Sequence, residues 1–476
     1  FMLDVARKFF TLDYLKQYVK ILSFYKMNEF QIHLNDNGFP QFFNNDWKMT
    51  YAAFRLESER FPGLTAKDGS YTKQEFSNLQ RMGMSYGVNV IPEIDIPAHS
   101  LAFTHYKPEI GSKEYGMDHL DLYKDETYHF LDTLFDEYLS GEHPIFIGPD
   151  VHIGTDEYNK KEAEQYRYFT DRYLKYIEKY GKNPRMWGGL KWLPGKTPVK
   201  AGGVTVNAWS YDWIDPEASL REGYQLINTC DTYLYIVPGA GYYREFLDHK
   251  WIYESWSPWL MNSKQTLPEG TPGVLGGMFA VWNDMCGNGI SEQDVHLRSF
   301  PAIQVLAEKL WKGDNKIVSY ESFEALCRIM PEAPGVNLLA RIPKEMCLTP
   351  LGKVCLLSGT DTIRTALQEV GYPYVVSFKI YPDKDTNING ILFEGPHSKV
   401  YTNWENTGRI AFSRDGYTFV FGSYCLPKGK WTDICISGDY KGTSLYVNGK
   451  LQERLEGRKM KVYCKKNKRM DYMPYQ

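Results

Sequence analysis

Residues 151–159, with the sequence VHIGTDEYN, decide how the rest of the chain is interpreted. An apolar run ends at Gly154, and two adjacent acids, Asp156 and Glu157, follow it. Neighbouring side chains of a strand point to opposite faces, so these carboxylates can share a site only where the strand gives way to a loop. An acidic pair is also typical of the first turn of a helix, where it faces the positive end of the helix dipole. The surrounding sequence has to decide between a helix start and a shared site.

The apolar run before this pair is the fourth of eight predicted strands. The eight runs are 1–5, 30–34, 88–94, 151–154, 185–187, 204–209, 224–228 and 276–282. Helical patterns lie between them: Thr11 is a predicted helix cap, and Thr72 with Glu75 predicts a capping box. Segments 120–140 and 160–180 are also predicted helices. Eight strands that alternate with helices or long connections predict an α/β fold, the (β/α)8 TIM barrel.

Polar and aromatic side chains follow these strands closely. In a (β/α)8 barrel such positions converge on the face at the carboxyl ends of the strands, where the enzymes of this fold carry their active sites. This convergence favours a catalytic interpretation of the acidic pair over a helix start. The residues concerned are Asn35, Asp36, Asp95, His99, Asp156, Glu157, Trp187, Trp209, Tyr233, Trp282 and Asp284.

The sequence pattern changes after residue 330, where prolines and a glycine interrupt it. From residue 374 onward short β runs alternate, and Asn448-Gly449 is a strong hairpin turn. We therefore predict a catalytic barrel at 1–330 and an antiparallel, jelly-roll-like β-sandwich at 331–476. The segment PDKDTNING at 382–390 is similar to a calcium loop, but its glycine is misplaced for an EF-hand, so a solvated turn is favoured.

Composition narrows the classes of function. The formal net charge is −3, and no long basic run precedes the C-terminal region, so nucleic acid is not an expected partner. Neither a membrane-spanning run nor a signal peptide is predicted. The eight cysteines show no Cys-x-x-Cys spacing, which predicts neither a zinc site nor a disulfide framework. Aromatic residues make up 15% of the chain, and exposed rings of this kind suit sugars, whose C–H faces stack on them.

Five motifs, each at or after a predicted strand, resemble glycoside hydrolase family 20, the β-N-acetylhexosaminidases and lacto-N-biosidases. They are MLDVARKFF at 2–10, HLNDN at 33–37, PEIDIPAH at 92–99, HIGTDE at 152–157 and AVWND at 280–284. The resemblance spans Phe1 to about Trp311, and it implies a glycan substrate with no cofactor and no metal. The C-terminal part resembles a concanavalin-like or laminin-G-like lectin domain on pattern alone, so a carbohydrate contact there is an expectation.

The resemblance implies a retaining mechanism in which the substrate's own 2-acetamido oxygen attacks the anomeric carbon. Glu157 is then the general acid/base, and Asp156 orients the acetamido group and offsets its developing charge. In the family a carboxylate orients a histidine that contacts the general acid, and these two residues correspond to Asp36 and His99. Tyr233 matches a tyrosine that donates a hydrogen bond to the acetamido oxygen. The aromatic walls of the family pocket match Trp187, Trp209 and Trp282.

Three departures from the family pattern all concern the outer end of the sugar. The usual Tyr-Leu-Asp reads Tyr233-Leu234-Tyr235 here, so an Asp that holds outer hydroxyl groups is absent. Asp284 stands where many members have a longer Glu, and the family Arg for the 3- and 4-hydroxyl groups would precede Phe1. Asp284 and Tyr235 are therefore predicted substrate-binding residues of a remodelled pocket.

The resulting hypothesis is a retaining exo-glycosidase that removes β-linked N-acetylhexosamine from the non-reducing ends of glycans. The specific alternative is a lacto-N-biosidase that releases Gal-β1,3-GlcNAc, because the aromatic segment 239–256 can line a wider pocket. A catalytically silent carbohydrate-binding protein is the alternative of another class. A metal-dependent hydrolase is disfavoured, since no His-x-His or Glu-x-x-His set lies near the acidic pair. The family also implies a secreted, periplasmic or cell-surface location.

Overall fold

The chain divides into two compact units in a computed structural model. The first holds residues 1–286, 298–336 and 463–469, and the second holds 287–297, 337–462 and 470–476. The structure describes residues 1–287, 289–313, 318–342, 362–365, 367, 370–371, 373–382, 390–396, 398–414, 417–439, 442–456, 460–463 and 469–472. The acids of the predicted calcium-like turn, Asp383 and Asp385, and Asn387 lie outside these residues. Within the described ranges, none of the helices has the length and apolarity needed to cross a membrane.

Parallel strands of the first unit close into a barrel. The first seven pair in chain order: β1 (Met2–Asp4), β2 (Glu29–His33), β3 (Asn89–Ile96), β4 (Asp150–Gly154), β5 (Asn183–Trp187), β6 (Thr205–Ala208) and β7 (Gln225–Asn228). The eighth strand, β8, is broken into Val274–Gly277 and Ala280–Val281. Its first half pairs with β7 and its second half with β1, so the sheet returns to its start. The predicted (β/α)8 barrel is confirmed.

Helices follow most of the barrel strands, and the two predicted capping sites are present. The Thr11 side chain accepts a hydrogen bond from the Tyr14 N–H, and Thr72 forms a reciprocal capping box with Glu75. The helices are α1 (Leu12–Phe24), α2 (Lys73–Ser85), α3 (Leu101–Tyr106), α4 (Asp125–Leu139), α5 (Ala163–Lys179), α6 (Pro216–Glu222), α7 (Asp231–Leu234), α8 (His249–Ser255), α9 (Glu292–Lys312) and α10 (Tyr320–Ile329). Short 3-10 turns occupy Pro40–Phe42, Pro108–Ile110, Lys160–Glu162 and Trp404–Asn406.

Several connections after the barrel strands carry small strands of their own, which stiffen the face where the predicted site lies. A parallel pair is formed by Tyr235–Ile236 and the second half of β8. Three antiparallel pairs join Asn35–Asn37 to Ala52–Phe54, Gly111–Ser112 to Gly116–Leu120, and Leu260–Asn262 to Gln265–Thr266. The first of these pairs fixes the backbone on both sides of Asp36, which a free loop would not do.

The second unit contains two four-stranded antiparallel sheets, which confirms the antiparallel part of the fold prediction. One sheet orders Tyr374–Ile380, Thr432–Asp439, Gly442–Val447 and Lys450–Glu456, and the other orders Ile391–Glu394, Ser398–Tyr401, Arg409–Arg414 and Tyr417–Cys425. Buried residues of both sheets share one apolar core, for example Ile410, Phe421, Ile434 and Leu445. Two further strands are Met460–Tyr463 and Arg469–Tyr472. The lectin-like character of this unit stays a prediction.

The capping box of α2 gives a testable contribution to stability. We expect Thr72→Ala to lower the free energy of unfolding by about 1 kcal/mol, because it leaves N-terminal N–H groups of the helix without a partner. Thr133→Ala, in the interior of α4, is the matched control and is expected to be neutral or slightly stabilising, since Ala is the better helix former. Urea denaturation of the three proteins measures both changes, and equal effects of the two substitutions would contradict the assignment.

Candidate active site

The acidic pair lies in the loop directly after β4 and converges on a single histidine. His99 Nε2 is 3.4 Å from Glu157 Oε2 and 3.8 Å from Asp156 Oδ2. The two carboxylates differ in exposure: Asp156 is 8% exposed, whereas the Glu157 side chain is 52% exposed. Asp156 Oδ1 is buried and has no hydrogen-bond partner among the described residues. The pair therefore offers one enclosed acceptor and one carboxylate that opens to solvent.

Backbone conformation explains how consecutive residues reach one side. Gly154, Thr155 and Glu157 all have positive φ angles, of 68°, 79° and 51°, so the strand alternation is lost at its end. Gly154 is required, because a Cβ atom there would lie 1.6 Å from Asp95 Oδ1. The first helical turn begins only at Lys160. The helix-start interpretation of the acidic pair is therefore wrong.

His99 is oriented by Asp36, a carboxylate at the centre of three cationic groups. Asp36 Oδ1 lies 2.9 Å from His99 Nδ1, and Asp36 Oδ2 lies 2.7 Å from His33 Nε2 and 2.8 Å from Arg7 Nη1. Asp36 is fully buried, and His99 has a positive φ of 53° that turns its ring towards the acidic pair. The structure thus brings the predicted relay residues Asp36 and His99 together with Asp156 and Glu157.

A second buried carboxylate continues this arrangement into the barrel interior. Glu93 Oε1 lies 3.0 Å from His33 Nδ1 and accepts a hydrogen bond of 2.6 Å from the indole N–H of Trp187. Glu93 Oε2 accepts a hydrogen bond from Gln31, and His152 Nδ1 lies 3.5 Å from Oε1. Buried carboxylates are costly unless charges and donors surround them, and both Asp36 and Glu93 meet this condition.

Burial and neighbouring charges shift the pKa values of the relay in opposite directions. Burial disfavours the charged form of Asp36, but Arg7 and His99 outweigh it and hold the pKa of that carboxyl well below its usual range. Burial also disfavours imidazolium, yet the facing carboxylates raise the pKa of His33 and of His99 well above their ordinary value. Negatively charged carboxylates and positively charged imidazolium groups are therefore favoured in alternation along the relay.

The same surroundings shift the pKa values of Asp156 and Glu157 in opposite directions. Burial raises the pKa of Asp156 to about 6, and His99 offsets only part of this effect. Burial also acts on Glu157, but the contact with His99 outweighs it and lowers the pKa of that carboxyl. In the free protein a proton therefore resides more readily on Asp156 and His99 than on Glu157.

Asp95 is a further buried acid that packs against the loop of the pair. It accepts a hydrogen bond from the Thr155 N–H at 3.3 Å, and its own N–H donates to the Asn35 side chain. Burial, followed by the nearby Asp156, raises the pKa of Asp95 well above its ordinary value. The raised pKa favours the neutral form of Asp95, in which the side chain fixes the loop without adding a negative charge beside Asp156.

Three tryptophans predicted as pocket walls lie at this end of the barrel, but their exposure differs from the expectation. Trp282 is 8% exposed and packs on Trp187 and on the edge of the His33 ring. Trp209 is 7% exposed, and its indole N–H donates to the Gly188 carbonyl. Trp187 is fully buried, because its indole N–H points inward to Glu93. Trp187 thus supports the pocket from behind rather than facing solvent.

Tyr235, rather than Tyr233, is the tyrosine that the structure brings to the pair. Tyr235 is 5% exposed and packs on Trp282. Burial raises the pKa of Tyr235 well above its ordinary value, and Asp156 is among the nearby charges that add to this rise. Tyr233 stacks on Trp251 with ring centroids 4.4 Å apart, outside this cluster. The reason is a single helical turn, α7, which rotates Tyr233 away before the short strand begins at Tyr235. The Tyr-Leu-Asp pattern then falls on Tyr235-Ile236-Val237, and its carboxylate is still absent.

The outer end of the site is organised around Asp284. Its carboxylate lies 3.4 Å from Arg7 Nη1 and accepts a hydrogen bond of 2.6 Å from the Tyr242 hydroxyl group. Burial raises the pKa of Asp284, with Arg7 acting against it. Tyr242 belongs to the aromatic segment predicted to line additional space, and Tyr243 beside it packs on Tyr235. The aromatic segment 239–256 therefore reaches the site through the hydrogen bond from Tyr242 to Asp284.

Two groups of side chains bring potential metal ligands within 4.8 Å of one another: His33 with Glu93 and Asp95, and Asp95 with His99 and Asp156. Metal ions bind the deprotonated imidazole of histidine. Both nitrogens of His33 face carboxylates, and His99 faces Asp36 with one nitrogen and the acidic pair with the other. These donor sets fit protonated imidazoles, so we assign the clusters to hydrogen bonding.

Sequence reasoning missed Arg7, His33 and Glu93 as site residues, although the motifs at 2–10, 33–37 and 92–99 contain them. For His33 and Glu93 the signal was a titratable residue inside a predicted apolar strand, which is costly unless the side chain has a partner. Tyr242 gave no such signal, because its partner Asp284 is distant in sequence.

Comparison with known proteins agrees with this geometry. The family model for the catalytic domain of glycosyl hydrolase family 20 matches residues 1–314. The chain belongs to this family. A β-hexosaminidase of Akkermansia muciniphila is 28% identical over 275 residues, which cover 49% of this chain and 52% of the relative. A β-hexosaminidase of Porphyromonas gingivalis is 22% identical over 426 residues, which cover 76% and 48%. The chain thus spans about half the length of these curated relatives.

Solved structures support the fold. A β-N-acetylhexosaminidase from Bacteroides fragilis superposes with a TM-score of 0.54 at 22% identity, over 68% of this chain and 67% of that one. An exo-β-N-acetylglucosaminidase from Vibrio harveyi, solved with N-acetylglucosamine, gives a TM-score of 0.54 at 20% identity, over 69% and 56%. At these identities the similarity shows the fold of the barrel.

Asp36 is expected to stabilise the folded chain at neutral pH. Its lowered pKa means that the folded state favours the ionised form, so its contribution is present above the ordinary carboxyl pKa and is lost as pH falls below it. We expect Asp36→Asn to lower the free energy of unfolding by about 3–5 kcal/mol near pH 7, because Arg7 and His33 lose a buried counter-charge. Chemical denaturation measures the loss, and a variant as stable as the wild type would contradict the assignment.

Asp156 is expected to have the opposite effect on stability. Its pKa is raised to about 6, so the folded state carries the cost of a buried charge above that pH. We expect Asp156→Asn to raise the free energy of unfolding near pH 7 by up to about 3 kcal/mol, and the gain to vanish as pH falls from about 6 to about 4, where both states of the wild type become protonated. Denaturation series across this range test it. Asp212→Asn, at an exposed position, is the control and should show no such gain.

Proposed function

We propose that the chain is a retaining β-N-acetylhexosaminidase that removes terminal β-linked N-acetylhexosamine with the help of the substrate's acetamido group. The observation that carries this proposal is the buried Asp156 Oδ1, which lacks a hydrogen-bond partner among the described residues. An unpaired buried acceptor costs free energy, and an N–H group of a bound ligand would recover it. The amide N–H of a 2-acetamido sugar is such a donor. Tyr235, which lies near enough to Asp156 to feel its charge, packs on Trp282, and the two rings supply an aromatic enclosure for the rest of the group.

The positions of the two acids suit a division of roles. Glu157 is half exposed, as a group must be if it gives a proton to a leaving sugar and later takes one from water. Asp156 is enclosed, where its charge is most effective against the positive charge that develops on the acetamido group. Because both carboxylates lie against one nitrogen of His99, they act from one side of the sugar. A carboxylate nucleophile would have to approach from the opposite face.

Proton supply in the free site also fits this mechanism. The acid step needs a proton on Glu157, and that proton is held on His99, 3.4 Å away. A sugar over the mouth of the site would exclude water from Glu157 and raise its pKa. The same sugar would lower the pKa of Asp156, since its amide N–H stabilises the ionised carboxylate. Substrate binding therefore moves both protonation states in the direction that the reaction needs.

Asp284 keeps the lacto-N-biosidase alternative open. No carboxylate replaces the missing Asp of the Tyr-Leu-Asp pattern, so the terminal sugar would be held at its outer hydroxyl groups by fewer charged groups than in much of the family. The Tyr242 hydroxyl group already engages the remaining carboxylate of Asp284. Tyr242 is 48% exposed, so it can turn outward and leave Asp284 to a longer substrate.

The choice of substrate and the roles of the pair are tested together. We expect the protein to hydrolyse p-nitrophenyl β-N-acetylglucosaminide, with Glu157→Gln and Asp156→Asn each lowering kcat by about 10²–10⁴-fold. Glu142→Gln, an exposed position at the opposite end of the barrel, is the matched control and should behave like the wild type. Turnover of p-nitrophenyl β-lacto-N-bioside alone would replace the exo-hexosaminidase proposal with the biosidase. Binding of either sugar with wild-type turnover in both acid variants would contradict the assigned roles.

A further inference from the structure

The interior of the barrel contains an uninterrupted line of charged contacts that begins at the acidic pair and ends behind the sugar pocket. From Glu157 it passes to His99 at 3.4 Å, to Asp36 at 2.9 Å, to His33 at 2.7 Å and to Glu93 at 3.0 Å. The same oxygen of Glu93 then accepts the indole N–H of Trp187 at 2.6 Å. Asp36, His33, Glu93 and Trp187 are all fully buried.

His33 is the unusual member of this line, because its Nε2 is hydrogen-bonded to Asp36 while its Nδ1 lies 3.0 Å from Glu93 Oε1, an ion-pair distance without hydrogen-bond alignment. A neutral imidazole has one N–H and one lone pair, and a lone pair directed at a carboxylate oxygen about 3 Å away is repelled. Only an imidazolium serves both Asp36 and Glu93. Two further groups lie close to the ring: the carboxyl group of Asp95, within 4.8 Å of it, and the uncharged Trp282, which makes an edge contact.

We propose that Glu93 and His33 form a positioning pair that aligns the two halves of the active site at once: the His99–Glu157 contact through Asp36, and the Trp187 ring directly. This inference rests on the proposed function for its kinetic consequences. Neither residue is placed to touch the substrate. Glu93 holds the proton on His33, His33 fixes one oxygen of Asp36, and the other oxygen of Asp36 then points at His99.

Loss of the Glu93 carboxylate should shift the proton between His99 and Glu157 towards His99. Without the Glu93 carboxylate, His33 releases its Nδ1 proton to solvent and becomes neutral. Asp36 then retains only Arg7 and His99 as cationic partners, and its less compensated charge holds the proton on His99 more firmly. His99 also faces the acids Asp95, Asp156 and Glu157. The loss of the Glu93 carboxylate gives none of these three acids a new hydrogen-bond donor, so they do not offset the change at Asp36. Glu157 is therefore a poorer acid, while its position and the rest of the pocket are retained.

Glu93→Gln is the informative variant, because a glutamine oxygen can still accept the Trp187 N–H. We expect kcat/KM for 4-methylumbelliferyl β-N-acetylglucosaminide to fall about tenfold or more relative to that for the 3,4-dinitrophenyl glycoside, whose leaving group needs little help from an acid. The alkaline limb of the pH profile should move to higher pH, because His99 loses the proton that Glu157 uses less readily. Glu29→Gln is the matched control, since Glu29 lies on β2, the strand that carries His33, and pairs with Arg185 at the other end of the barrel. Glu29→Gln should change kcat/KM for both substrates by the same factor.

A direct measurement separates this inference from the proposed function. In protein labelled with ¹⁵N-histidine, the His33 resonances, assigned by their loss in His33→Gln, should report two protonated nitrogens near neutral pH in the wild type and one in Glu93→Gln. A neutral His33 in the wild type would overturn the positioning pair, whatever the protein hydrolyses. Equal loss of activity on both leaving groups in Glu93→Gln would also overturn it. If neither glycoside is turned over, the proposed function fails, and the histidine spectrum still decides the inference.

Discussion

A single buried carboxylate, Asp36, holds together the charged groups of the candidate active site. Burial of a charge is tolerated only with close counter-charges, and Asp36 has three: Arg7, His33 and His99. Arg7 and His99 lie in the connections after β1 and β3, whereas His33 ends β2, and each of the three has a second acidic partner. Arg7 reaches Asp284, His33 reaches Glu93, and His99 reaches the acidic pair. The outer end, the interior and the chemical centre of the site are therefore tied through one group.

The acidic pair shows how one environment can give two neighbours opposite properties. Asp156 and Glu157 meet the same histidine, but one is enclosed and the other opens to solvent. Enclosure raises the proton affinity of Asp156, and the imidazolium lowers that of Glu157. The ionised Asp156 is a cost to the folded chain, whereas the ionised Asp36 is a gain. The cost of the unpaired Asp156 carboxylate is thus offset in the folded chain by the favourable pairing of Asp36.

The loops after the strands matter as much as the strands themselves. The pairing of Asn35–Asn37 with Ala52–Phe54 keeps Asp36 in place, and the turn at α7 decides which tyrosine faces the pocket. The segment that carries Tyr242 adds a hydroxyl group to the outer carboxylate, Asp284.

The sequence by itself determined the barrel, the antiparallel second unit and the central residues Asp36, His99, Asp156 and Glu157. Eight apolar runs with polar residues at their ends are a local pattern, and capping signals such as Thr72 with Glu75 act within one turn of chain. Tertiary structure alone decided the break in β8, the burial of Trp187 and the exchange of Tyr233 for Tyr235. It also decided the roles of Arg7, His33, Glu93 and Tyr242. These depend on the pairing of groups distant in the chain, since a buried charge is stable only beside a partner that no local pattern specifies.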